Sequence, residues 1–243
     1  MNTLKPSDLF EKGYDALKRK DYLTAERFFL NVLFEYSKSQ NCYIQFIGSL
    51  DKLSLYLYSA GHFEKKERAE MFFEIFSKTD RNASSGYATA LINGIFGEPD
   101  YSKAIKVIQN TYAHDMYYLL GYLLHYGLGL EKNDFKAATL LNSIALQFSN
   151  RESQAKELLS EINVKIELED LALEEEINRL LEELYGEEFN KPSYGRSSND
   201  DSVIEFFKSI EFNPELEIVL SSNSQNSNLK NDTNLNDDHK ISD

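Results

Sequence analysis

The chain has 243 residues, 42% hydrophobic and 13% aromatic, with no tryptophan, four prolines and eleven glycines. Ample core-forming material and few chain breakers favour helices over a many-turned β fold, and the single cysteine, Cys42, excludes a disulfide framework or a multi-cysteine metal site. A formal net charge of −14 disfavours nucleic-acid phosphates and anionic membranes, and it attracts basic partners over about 8–10 Å.

The charge is unevenly placed. Residues 1–150 hold 17 basic and 17 acidic residues, residues 151–189 hold four and thirteen, and residues 190–243 hold five and ten. The imbalance is therefore an acidic module appended to a neutral body. The first residues lack the apolar core of a secretory signal, and no stretch approaches about 20 apolar residues, so insertion into a membrane is not expected. A protein of the cytosol, or of the nucleus, is the expectation.

In chain order, the first unit is marked by Gly13 and Ala25, twelve residues apart, followed by Phe29 and Val32 with Asp21-Tyr22 at the turn. A weaker unit runs through Tyr56, Gly61 and Ala69, with a 44-residue step from Ala25. Ala88 and Gly94 then precede Ala104 by 16 and 10 residues, with Asp100-Tyr101-Ser102-Lys103 leading into it. Gly121 and Gly127 precede Ala137 by the same 16 and 10, and Lys136 lies 33 residues after Lys103. Apolar residues at Ala137, Leu140, Leu141, Ile144 and Ala145 have helical spacing. Each unit reads as a helix, a tight turn and a second helix returning on the first, with Gly121 as a notch for close approach. Four such pairs occupy about residues 7–149.

Gly13, Ala25 and Phe29 with Asp21-Tyr22 resemble a tetratricopeptide repeat, and Gly121, Gly127, Gly129, Lys136 and Ala137 resemble the related Sel-one-like repeat. Phe96 stands where the second turn glycine of that pattern belongs, and residues 53–75 depart furthest from it. The resemblance implies an all-α, right-handed α-solenoid of about four helix-turn-helix repeats whose concave face grips peptides or protein surfaces. It also implies that chaperone-tail binding through the first repeat is absent. The lysine and asparagine of the family's carboxylate clamp are replaced here by Phe10 and Tyr14. Phe10, Tyr14, Tyr43, Phe46, Tyr87 and Tyr117 lie on the first helices of pairs, which line the inner face in such arrays, and are the candidate partner-binding residues.

Residues 151–186 carry an apolar stripe of Ala155, Leu159, Ile162, Ile166, Leu173, Ile177, Leu180 and Leu184 opposite a row of glutamates. This reads as one long helix or two shorter ones, with Gly186 as the stop. It caps the last repeat or offers a seam to another chain. Residues 190–202 and 221–243 are rich in Asn, Ser and Asp and are expected to be disordered within an acidic tail, 187–243. Between them, at 203–220, lies an apolar island in which Val203, Phe206, Phe207 and Ile210 share one helical face. It folds back into this chain's own groove or binds a partner as a short motif.

Chemistry-bearing residues are sparse. His62, His114, His125 and His239 form no metal-ligand spacing, Cys42 reads as a buried inert thiol, and Gly127-x-Gly129 reads as a repeat turn and not a phosphate loop. No catalytic, cofactor-binding or metal residues are assigned. The expected function is a protein-binding adaptor or scaffold of unassigned oligomeric state. The alternative is an acidic chaperone for a basic client acting through the C-terminal region.

Overall fold

Asp or Asn side chains cap four of the helices, and several helix ends are followed by a residue in the left-handed region. The computed structural model describes residues 4–111, 114–146, 151–162, 170–186 and 206–208. Pro6 opens α1 (Pro6–Lys18), with Asp8 in its first turn, as suits a position needing no backbone donor and an electropositive helix end. Asp21 caps α2 (Tyr22–Ser39) by accepting from the Thr24 amide at 3.3 Å. After α3 (Tyr43–Asp51) the chain runs directly into a π-helical segment, Lys52–Tyr58, and then α4 (Lys66–Phe76). Asp80 caps α5 (Arg81–Ile92) through the Ala83 amide at 2.9 Å, and Asp100 caps α6 (Tyr101–Gln109) through the Lys103 amide at 2.8 Å. The Asn133 side chain does the same for α8 (Asp134–Leu146), which follows α7 (His114–Tyr126), at 3.0 Å from the Lys136 amide. The result is an all-α, multi-helix body with no strand among the described residues. None of its helices is long and apolar enough to cross a membrane, among the described residues.

One turn recurs. Gly61, Gly94 and Gly127 lie 33 residues apart and have φ of +77°, +64° and +68°, which a residue without Cβ adopts freely. Past each glycine an amide reaches back five residues: His62 to the Leu57 carbonyl at 2.7 Å, Ile95 to Ala90 at 2.9 Å, and Leu128 to Leu123 at 2.9 Å. This is the Schellman closure of a helix end. Lys20, at φ +61°, sits at a fourth such closure, from Asp21 to the Ala16 carbonyl at 2.9 Å. The 35-residue step between Ala69 and Ala104 has its origin in the connectors. Lys66 begins α4 five residues after Gly61, whereas α6 and α8 begin seven residues after Gly94 and Gly127. The turn keeps register and the connector is two residues shorter.

Consecutive helices pack on one another: α1 on α2, α5 on α6, α7 on α8. α5 is the hub, since it also packs on the π-helical segment, α4 and α7. Its sequence of small residues, Ala83, Ser84, Ser85, Gly86, Ala88 and Ala90, is buried throughout, so neighbours approach from every side. One continuous apolar core runs from Ala16 to Phe207, and Leu9, Phe28 and Val32 form a smaller cluster at the α1–α2 end.

Beyond α8, residues 151–186 form two helices, α9 (Glu152–Glu161) and α10 (Asp170–Tyr185), and both pack against α8. Extended backbone at Ile162 ends α9, and Gly186 follows α10 at φ +72°. Ala155, Ile162, Leu173, Ile177 and Leu180 of the apolar stripe are buried. Ile166, Val203, Ile210, His239 and the stretches 190–202 and 221–243 lie outside the described residues.

Candidate partner-binding groove

On α4 the residues Glu67, Glu70, Met71 and Glu74 recur at three- and four-residue steps, so they share one face. That face borders a groove of about 390 Å³, whose other walls are Tyr87 and Leu91 of α5, Phe96 of the turn and Lys103 of α6. The aromatic walls are fixed from behind. Tyr87 stacks on Phe73 with ring centres 5.1 Å apart and planes 8° from parallel, and Phe96 meets Phe73 edge-on at 6.0 Å.

Polar groups converge at one end. The Tyr87 hydroxyl donates to Glu74 Oε1 at 3.2 Å, and Lys103 Nζ donates to the same oxygen at 3.4 Å while lying 5.2 Å from the Tyr87 ring centre. Burial pushes the Tyr87 phenol above its ordinary value, and hydrogen bonding with Tyr87 raises the Lys103 ammonium. Lys66, at the start of α4, pairs with Glu70 at 3.7 Å and donates to the Phe96 carbonyl. Three carboxylates thus face two ammonium groups over an aromatic floor.

The six aromatic candidates are distributed over the molecule. Tyr87 alone lines the groove. Phe46 is buried and stacks on Tyr36 at 3.9 Å, and Tyr43, which is exposed, lies 6.3 Å from the same ring. Phe10 packs on Phe29 at 5.8 Å and fills the space over Gly48, so it joins α1, α2 and α3. Tyr14 is exposed under the Lys18 ammonium, 4.4 Å from its ring centre, and Tyr117 is buried. Phe206 and Phe207 of the tail are buried against Phe72, Phe76 and Phe34.

The groove's carboxylates were absent from the sequence reading, although their spacing was visible; Phe96 figured there only as a departure from a turn pattern. A second cluster was also missed. Glu26, fully buried on α2, accepts from the Tyr58 hydroxyl at 2.9 Å and from the Glu64 amide at 2.6 Å, with Arg68 Nη1 3.6 Å away. Glu64 in turn receives two hydrogen bonds from Arg27, at 3.2 and 3.3 Å. Burial raises the Glu26 carboxyl above the usual range, and the Arg27 hydrogen bonds hold Glu64 below it. The signal was a charged residue interrupting the apolar face of Ala25, Phe28 and Phe29. Both Glu26 oxygens are engaged, so this network joins α2 to the π-helical segment and α4.

Cys42 is buried, and burial pushes its thiol up. His125 Nδ1 lies 2.6 Å from Asp134 and ties the end of α7 to the start of α8, while His62 stacks on Tyr22 at 3.8 Å. No group of three or more His, Cys, Asp or Glu side chains placed to hold a metal ion occurs among the described residues. No protein-family model, curated protein or solved structure matches this chain.

Proposed function

We propose that this protein is a helical-repeat adaptor that seats a basic segment of a partner protein in the α4–α6 groove and performs no catalysis. In this reading the four helix pairs form a right-handed solenoid capped by α9 and α10. The supports are the 33-residue recurrence of the turn and the packing of both last helices on α8. The observation that carries the binding role is the groove itself, with Glu67, Glu70 and Glu74 over Tyr87 and Phe96. A lysine or arginine lays its stem on Met71 and Leu91 and brings its charge to the carboxylates. Lys103 beside Tyr87 and Glu74 is the internal example of that contact.

The test compares partner capture by the full chain and by a Glu67→Gln/Glu70→Gln/Glu74→Gln variant, with bound proteins identified by mass spectrometry. The wild type should retain a basic partner that the variant loses. Retention of the same partner by both removes the groove from the function.

The chaperone reading rests on a different observation, the excess of nine acidic residues over 151–189 and of five over 190–243. Replacing the Asp and Glu of residues 187–243 by their amides, with Phe206 and Phe207 kept, separates the two. Loss of salt-sensitive capture favours the chaperone, and unchanged capture favours the groove.

A further inference from the structure

The apolar island of the tail contributes two rings to the core. Phe206 is 0% and Phe207 5% exposed, in a short helical stretch, 206–208, whose Lys208 is exposed. Phe206 meets Phe76 edge-on at 5.8 Å and Phe72 at 6.3 Å, and Phe207 meets Phe34 edge-on at 5.2 Å. The hosts belong to α2 and α4, so two adjacent rings from the tail fill a groove between those helices. Edge-to-face contacts of this kind select aromatic rings over aliphatic side chains.

Two features distinguish this pair from ordinary core. The host rings hold one another without it: Phe72 packs on Phe76 at 4.9 Å and on Tyr58 at 4.9 Å, and Phe46 reaches Phe76 at 6.4 Å. Nineteen residues of sequence, 187–205, lie between Gly186, which follows α10, and Phe206. A two-ring anchor on a separate stretch of chain is the form in which short motifs dock into grooves.

We propose that the α2–α4 groove is a recognition site for an adjacent aromatic pair, filled in cis by the chain's own Phe206-Phe207, and that a segment carrying the same pair on another chain enters by displacing it. The site is separate from the acidic groove. Phe72 and Phe76 lie on the opposite side of α4 from Glu67, Glu70 and Glu74, and neither site needs the other's ligand. Tethering sets the barrier to exchange, because a ligand on the same chain competes intramolecularly and is not diluted. Partner segments are therefore admitted when their local concentration or affinity exceeds that of the tail.

The absence of tryptophan from the chain makes a direct test available. A full-length Phe207→Trp variant carries a single indole at the plug. Its emission should begin blue-shifted and move saturably toward the solvent-exposed value on titration with a synthetic peptide of residues 201–212. The same peptide with both phenylalanines replaced by serine should leave it unmoved. Independently, a fluorescein-labelled 201–212 peptide should bind full-length Phe206→Ser/Phe207→Ser chain at least about tenfold more tightly than wild type, because the cis competitor is gone. Emission that is solvent-exposed from the start, or that stays blue at millimolar peptide, overturns the proposal. Equal peptide binding by the two chains does so as well. If the double-serine chain loses its helical circular dichroism, the tryptophan titration decides alone.

Discussion

The α7–α8 hairpin and the crossing of α5 over the π-helical segment Lys52–Tyr58 both bring helices closer than side chains ordinarily permit, and each uses a glycine. In the hairpin the close partner is a side chain: a Cβ at Gly121 would lie 2.9 Å from Leu141 Cγ, with the Ala137 carbonyl oxygen at 3.4 Å. At the crossing it is backbone, since a Cβ at Gly86 would lie 2.5 Å from the Ser54 carbonyl oxygen and 2.8 Å from its carbon. A leucine changes rotamer at modest cost, whereas a carbonyl inside a hydrogen-bonded helix does not move alone. The polar groups follow the same division. The π-helical segment joins the enclosed Glu26–Tyr58–Arg68 network, whereas the hairpin is closed by a His125–Asp134 pair that is partly open to solvent. The close approach is thus made against backbone at the centre and against a side chain in the α7–α8 hairpin.

The largest effect expected from this division is at Glu26. Replacing it by alanine leaves the Tyr58 hydroxyl and the Glu64 amide without their acceptor and removes the carboxylate 3.6 Å from the buried Arg68 guanidinium. Breaking a buried ionic network by removing one member costs about 3–5 kcal/mol. Urea unfolding followed by circular dichroism measures it. A loss below about 1 kcal/mol, the scale of a surface ion pair, would erase the contrast between the two regions.

The two glycines sharpen the comparison at smaller amplitude. Gly86→Ala drives a methyl into the Ser54 backbone and is expected to cost about 1–3 kcal/mol or more. In Gly121→Ala the added methyl presses only on Leu141, and a gain in helix propensity of about 1 kcal/mol offsets the strain, so stability should stay near wild type. Thermal unfolding of the pair in parallel reads the difference. Equal losses would mean that α5 shifts over the π-helical segment as readily as Leu141 turns aside.

The same contrast explains what the sequence disclosed. The hairpin was legible because its units repeat small residues at fixed steps: Gly121, Gly127 and Ala137 announce close approach and a left-handed turn without reference to the rest of the chain. Around residues 53–75 the pattern faded for local reasons. Seven residues follow the π-helical spacing, and the connector after Gly61 is shorter by two. Gly86 gave no warning, because a glycine facing a distant carbonyl looks like any helical glycine until the partner strand of chain is known. The groove fared likewise. Tyr87 was singled out as an aromatic on a first helix, but its companions Glu67, Glu70, Glu74, Phe96 and Lys103 come from three further segments that only packing unites. Cys42 was read as a buried thiol, and it is buried.

The smallest effect is the most diagnostic, because the two regions should titrate in opposite senses. Asp134 is about one-third exposed, and its carboxyl is held below the usual range first by the hydrogen bond with His125 and then by Lys132. A depressed carboxylate contributes stability above its ordinary pKa and loses it as pH falls through the depressed value. Asp134→Asn should therefore cost about 0.5 kcal/mol at neutral pH, the scale of a partly screened pair, and progressively less in acid. Glu26 is raised by burial, so its contribution is fully present below the ordinary value and is lost as pH rises through the raised one. Wild type should accordingly gain on Glu26→Gln as pH falls, while its advantage over Asp134→Asn shrinks. Urea denaturation of the three chains at about pH 7, 4 and 2.5 reads both, since the Glu26 change falls between the first two and the Asp134 loss only below its ordinary value, between the last two. If both variants moved in the same direction, the carboxyl at the centre would be as well solvated as the one in the hairpin, and the dry crossing inferred from Gly86 and Ser54 would have to be replaced by one that admits water.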